Sequence, residues 1–135
     1  MSKILVIDDD RDLLDVVELR LEYNGFQCRK EDNIKDGLEA VHQFKPDIIL
    51  LDLGFEGFNG LDFLQALTQA LPNPQTRPQI FVVSGESDPE VIQHVLNEGA
   101  RYFIRKPYDP QELLMRIFDA SYSAIDNSES DLARS

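Results

Sequence analysis

Pro46-Asp47-Ile48-Ile49-Leu50-Leu51-Asp52, running on through Leu53 into a loop with glycines at 54, 57 and 60, is the stretch that decides the fold. Its run from Asp47 to Leu51 is short and almost wholly Ile and Leu, as a central strand covered by helices on both faces requires. The strand ends at Asp52. Downstream, Leu61, Leu64, Leu67 and Leu71 recur at helical spacing until prolines at 72, 74 and 78 break the chain. Upstream, Ile4 to Ile7 forms a second short apolar run, followed by Leu14, Val17 and Leu21 on one helix face and by Gly25 as a terminator.

The same alternation continues in both directions. A weaker, charged strand at Phe26 to Lys30 reads as a sheet edge, and Asn33 caps a helix burying Leu38, Val41 and Phe44 before Pro46. Ile80 to Val83 forms a fourth strand ending at Ser84. Asp88 and Pro89 open a helix with Val91, Ile92, Val95 and Leu96, closed by Gly99. A fifth strand, Tyr102 to Arg105, precedes Lys106 and Pro107. Asp109-Pro110-Gln111-Glu112 then resembles a capping box ahead of Leu113, Leu114, Ile117 and Phe118. Five such units predict an α/β domain with a five-stranded parallel sheet and helices on both faces. The domain is expected over residues 1–124. Residues 125–135, rich in Ser, Asp and Ala, read as a disordered tail or the start of a linker.

The chain has 135 residues, enough for one compact core. Its 25 acidic and 13 basic residues give a formal charge of -12, which repels phosphate backbones and anionic lipid, so direct nucleic-acid or membrane binding is not expected. The lone Cys28 excludes an internal disulfide and every zinc-finger spacing, and it reads as a half-buried strand residue. The apolar run at 4–7 is too short for a signal or membrane segment, so the expected location is a reducing cytoplasm. His42 and His94 have no ligand spacing and receive no role.

Ligands of open α/β sheets bind beyond the carboxyl ends of the strands. Those ends carry Asp8, Asp9 and Asp10 after the first strand, Asp52 after the third, Ser84 after the fourth and Lys106 after the fifth. Clustered carboxylates repel, and a divalent cation removes that cost. Oxygen-only ligands suit magnesium, which keeps waters and leaves room for phosphate oxygens. Lys106 and the Ser84 hydroxyl would hold two such oxygens. The set describes a phosphoryl site beside an acid able to form an aspartyl-phosphate. Asp10 reads as the cap of the first helix.

In order and spacing, these motifs make the chain resemble a response-regulator receiver domain of two-component signalling, of the chemotaxis-receiver type. They are the acids after Ile-Leu-Val-Ile, the Pro46–Leu53 segment with its glycines, Ser84-Gly85, and Gly99-Ala100 followed by Phe103 and Lys106-Pro107. The resemblance covers residues 3 to about 122 and implies strand order 2-1-3-4-5. It implies Asp52 as phosphoacceptor, and Asp8, Asp9, Asp52 and the Gly54 carbonyl at magnesium, with manganese as a substitute. Ser84 and Lys106 would contact the phosphoryl group, and Ser84 and Phe103 would act as the switch. The Lys106-Pro107 bond would be cis and aim the lysine inward. The implied donor is a histidine kinase or histidine phosphotransfer protein. The output is a separate protein or an attached domain.

The chain departs from the family pattern at Glu56, where proline is usual, and at Gly54, where a larger residue is frequent. Glu56 is expected to slow small anionic phosphodonors, and Glu86 to orient or repel an attacking water. Phe55 and Phe58 are expected to pack on the neighbouring helix. Among other readings, a constitutive binding module would not need the intact Asp9, Asp52, Ser84 and Lys106 set. A magnesium-dependent hydrolase would usually carry an acid where Gly54 stands. A flavodoxin-type carrier would need a phosphate loop where three aspartates stand.

Overall fold

The computed structural model describes residues 2–53, 60–73, 75–85 and 87–121. The expectations for Gly54, Phe55, Glu56, Phe58, Glu86 and the tail at 125–135 therefore lie outside the described residues. The elements alternate strictly: β1 (Lys3–Ile7), α1 (Arg11–Tyr23), β2 (Gln27–Glu31), α2 (Ile34–Phe44), β3 (Ile48–Asp52), α3 (Gly60–Ala70), β4 (Gln79–Ser84), α4 (Pro89–Asn97) and β5 (Tyr102–Arg105). A last helix, α5, occupies residues 110–121. All strand pairs are parallel, in the order β2-β1-β3-β4-β5, as expected.

Side chains along a strand alternate between faces, and here that alternation separates two cores. Ile4, Val6, Ile48, Leu50, Phe81 and Val83 pack with Leu14 and Leu21 of α1 and Leu113, Leu114 and Ile117 of α5. Leu5, Ile7, Ile49, Leu51, Ile80 and Val82 pack on the opposite face with α2, α3 and α4. Strand β3, in the middle of the sheet, is buried along its whole length. The edge strand β2 carries Arg29, paired with Glu31 at 3.0 Å, and Lys30, 3.2 Å from Glu18, charges that discourage further strand pairing. Among the described residues no helix is long and apolar enough to cross a membrane.

Helix ends follow their local chemistry. Asn33 Oδ1 accepts from Asp36 N and Asp88 Oδ1 from Glu90 N, both at 2.9 Å. Gly25 and Gly99 adopt φ of 90° and 119°, which other residues rarely reach, and turn the chain from α1 and α4 towards the next strand. At α5 Asp109 caps Gln111 N at 2.9 Å, but the reciprocal half of the expected box is replaced: Glu112 lies 3.7 Å from Arg116 along the helix.

Three packing expectations need correction. In α2 the buried residues are Gly37, Ala40 and Val41, while Leu38 and Phe44 are only half-buried. The helix approaches β1 so closely that its smallest residues make the contact. In α3 Phe63, outside the leucine series, is fully buried. In α4 only Val95 is buried, Leu96 is half-buried against the same core and Val91 is exposed.

Candidate functional site

The carboxyl ends of the strands converge as the topology requires. Asp8 directly follows β1, its amide donating to Glu31 O at 3.1 Å, and its Oδ1 accepts from Asp10 N at 3.0 Å. Asp52 is the last residue of β3, in the alternation of Ile48 and Leu50, and so belongs to the α1/α5 side. Ser84 ends β4, and the Lys106 amide donates to Ser84 O at 2.8 Å, extending the β4–β5 ladder by one bond. Asp8, Asp52 and Ser84 are the buried polar residues among those described, at 6%, 5% and 4% exposure. The Lys106-Pro107 bond is cis, as expected.

Lys106 reaches across this floor. Its Nζ donates to Asp52 Oδ2 and lies 3.8 Å from Asp8 Oδ2. One ammonium thus serves two buried carboxylates. Burial, reinforced by the charge of Asp8, pushes the Asp52 carboxyl up to about 7 even though Lys106 opposes the shift. Burial works against the charge on Lys106, but the hydrogen bond to Asp52 and the charges of Asp52 and Asp8 outweigh it and hold the lysine above its ordinary value. Asp9 is exposed, and its carboxyl is raised by partial desolvation and by its neighbours Asp8 and Asp10.

The side chains of Asp8, Asp52 and Lys106 are therefore brought together, and Ser84 stands beside them through its backbone bond to Lys106. Asp9 stands at the rim, and Gly54 lies outside the described residues. Among the described residues no three acidic, histidine or cysteine side chains converge into a metal cage. Asp8 and Asp52 nevertheless fit magnesium, which is held by one or two carboxylates with water and phosphate oxygens completing its shell. Burial is the main cause of the raised Asp52 carboxyl, but the charge of Asp8 adds to it, and such a cation would offset that repulsion. Asp10 precedes α1, its carbonyl accepting from Leu14 N at 3.0 Å, in agreement with its reading as the cap position. Phe103 on β5 is half-buried against the α2/α3/α4 core. Cys28 is half-buried on β2, as expected.

Tyr108 was not legible as part of this region. It is half-buried beside the cluster, and burial raises its hydroxyl above the ordinary tyrosine value. The only signal in the chain is its place two residues after Lys106.

A parallel sheet in the order 2-1-3-4-5 with an acid–lysine cluster beyond the carboxyl ends of β1, β3 and β5 defines the class of fold. Within that class the chain belongs to the response regulator receiver domain family, whose pattern matches residues 4–118. It is 37% identical over 117 residues to the response regulator ArlR of Staphylococcus saprophyticus, covering 87% of this chain and 51% of that protein. The DNA-binding response regulator MtrA of Mycobacterium tuberculosis is 32% identical over 116 residues, 86% of this chain and 49% of that one. The chain thus spans about half the length of these relatives. Among solved structures, a CheY-like receiver domain protein from Methanospirillum hungatei superposes with a TM-score of 0.80 at 25% identity, covering 97% of this chain and 98% of that one.

Proposed function

We propose that this chain is a phosphoacceptor switch: Asp52 takes a phosphoryl group from a phosphohistidine donor, a histidine kinase or histidine phosphotransfer protein. The observation that carries the reading is the buried Asp8–Lys106–Asp52 cluster, in which one ammonium bridges two carboxylates at the ends of neighbouring strands. An Asp52 oxygen attacks phosphorus, the P–N bond to the donor imidazole breaks, and the imidazole keeps the bonding electrons and takes up a proton. Lys106 then transfers its ammonium from the Asp52 carboxylate to a phosphoryl oxygen, and Ser84 donates its hydroxyl to another. Asp8, Asp9, Asp52 and the Gly54 carbonyl would hold magnesium, which would supply charge neutralisation for the transferring group, and manganese would substitute.

The extra contacts offered by the phosphoryl group favour a conformation in which Ser84 moves inward and Phe103 changes rotamer, altering the face formed by α4, β5 and α5. The output is then a partner protein or an attached domain. Half-length coverage of the relatives, one of which is named DNA-binding, supports the second arrangement as readily as the first.

Intact-protein mass spectrometry after incubation with acetyl phosphate and a histidine-phosphorylated donor, each with and without magnesium, tests this. One added phosphoryl group, magnesium-dependent and absent from Asp52→Asn, is expected. Failure with both donors would replace the switch by a constitutive protein-binding module.

A further inference from the structure

Between α1 and α5 lies a cavity of about 500 Å³ that the carboxylate cluster does not use. Val17 and Leu21 of α1 and Leu113 and Leu114 of α5 line it, together with Tyr108 and Pro110. Leu21, Leu113 and Leu114 are buried and form its floor, while Val16 is 54% exposed and stands at the mouth with Arg20. The volume is that of a small-molecule site, for which about 300–1,000 Å³ is usual.

The charges around it are one-sided. In a chain with 25 acidic residues, no acidic side chain lines this cavity among the described residues, whereas two cations do. They are not equivalent. Lys106 gives its ammonium to Asp52 and Asp8, so it offers the cavity its methylene stem. The Arg20 guanidinium makes no hydrogen bond or ion pair with another described residue, yet its charge acts on the hydroxyl of Tyr108, which also lines the cavity. A cationic ligand would meet the like charge of Arg20. An anion would gain a planar, charge-assisted donor beside an apolar wall.

We propose that this cavity is a binding site for a small apolar molecule carrying one negative charge, its ring or chain held between α1 and α5 and its carboxylate or sulfonate on Arg20. Lys106 and Tyr108 also line the narrow gap that reaches Asp8 and Asp52, so an occupant presses on two side chains of the carboxylate site. Occupancy therefore changes the rate at which Asp52 is phosphorylated, a consequence that rests on the phosphoacceptor reading, whereas binding itself does not.

The test uses the full chain with 1-anilinonaphthalene-8-sulfonate, and N-phenyl-1-naphthylamine as its uncharged counterpart. Saturable one-to-one binding of the sulfonate is expected, with amide chemical shifts perturbed around residues 16–21 and 107–114. Arg20→Gln should weaken the sulfonate about tenfold and leave the uncharged probe unaffected, the loss of one charge-assisted contact. Val16→Trp should obstruct the mouth and weaken both. These positions are exposed, and retained amide spectra would show that both variants fold. Absence of saturation to millimolar probe, equal sulfonate affinity in Arg20→Gln, or shifts clustered elsewhere would overturn the site. With acetyl phosphate, saturating sulfonate should change the phosphorylation rate at least twofold. An unchanged rate with binding intact overturns the coupling alone. No phosphorylation by either acetyl phosphate or a histidine-phosphorylated donor, with or without probe, overturns the phosphoacceptor reading and leaves the site standing.

Discussion

Replacing Gly37 by alanine sets two effects of known sign against each other. In an exposed helix the exchange stabilises by about 1 kcal/mol, because alanine loses less backbone freedom on folding. Here the new methyl would meet Ile7 Cδ1 at 2.9 Å, Phe63 Cε2 at 3.3 Å and Ile7 Cγ1 at 3.5 Å, against an optimum near 3.5–4.0 Å for such pairs. Ile7 and Phe63 have no exposed surface, so neither side chain can swing out to relieve the contact. Inserting a methyl into such a core costs about 1–3 kcal/mol, which outweighs the helix gain and leaves Gly37→Ala less stable by about 1 kcal/mol. Urea unfolding with an unchanged slope should report this as a lower midpoint. A double-mutant cycle isolates the cause, since Ile7→Val deletes the atom met at 2.9 Å. Alone, that truncation costs about 1 kcal/mol, but in the Gly37→Ala background it should cost nothing, a coupling of about 1 kcal/mol. A stabilised Gly37→Ala, or a cycle that is additive within about 0.3 kcal/mol, would refute the close-approach argument.

Burial, with the charges of Glu18 and Glu22, pushes the Cys28 thiol up to about 12 from 9.0, so at pH 8 iodoacetamide should alkylate it about a thousandfold more slowly than an unstructured thiol, with urea abolishing the difference. The raised folded value also means that the contribution of Cys28 to stability is complete below pH 9 and declines as pH rises towards 12, which urea midpoints across that window would register. Asp88→Ala removes the acceptor for Glu90 N and should cost about 1 kcal/mol in the same unfolding assay, while Asp88→Asn should cost far less. Lys106→Ala removes the donor expected to stabilise the transferring phosphoryl group and should slow labelling by acetyl phosphate about 100-fold; an unimpaired rate would remove Lys106 from that role.

Much of the fold was legible because its signals are local. The Ile-Leu run ending at Asp52, the caps at Asn33 and Asp88 and the glycines closing α1 and α4 each depend on a few consecutive residues. Which residues of a helix face a neighbour depends on its rotation and distance from the sheet, and periodicity leaves both open. That is why Gly37 and Ala40 are buried contacts of α2 in place of Leu38 and Phe44, and why Phe63 joins Leu64 and Leu67 in α3. In the site, strand ends pointed to Asp8, Asp52, Ser84 and Lys106, but consecutive residues after a strand turn different ways. Asp8 went inward and Asp9 outward. Tyr108 and the α1/α5 cavity arise from contacts between segments some ninety positions apart, and no motif records them.

The alternation of the strands gives the site a further property. Asp8, Asp52 and Lys106 continue the rows of Val6, Leu50 and Ile104, which face α1 and α5, whereas Ser84 continues the row of Val82, which faces α2, α3 and α4 together with Phe103. Any group bound between Ser84 and Lys106 therefore holds one handle on each helical layer. If such a group is bound, the sheet would act as a fulcrum, and a substitution in one layer should sever that layer's response while the other still answers.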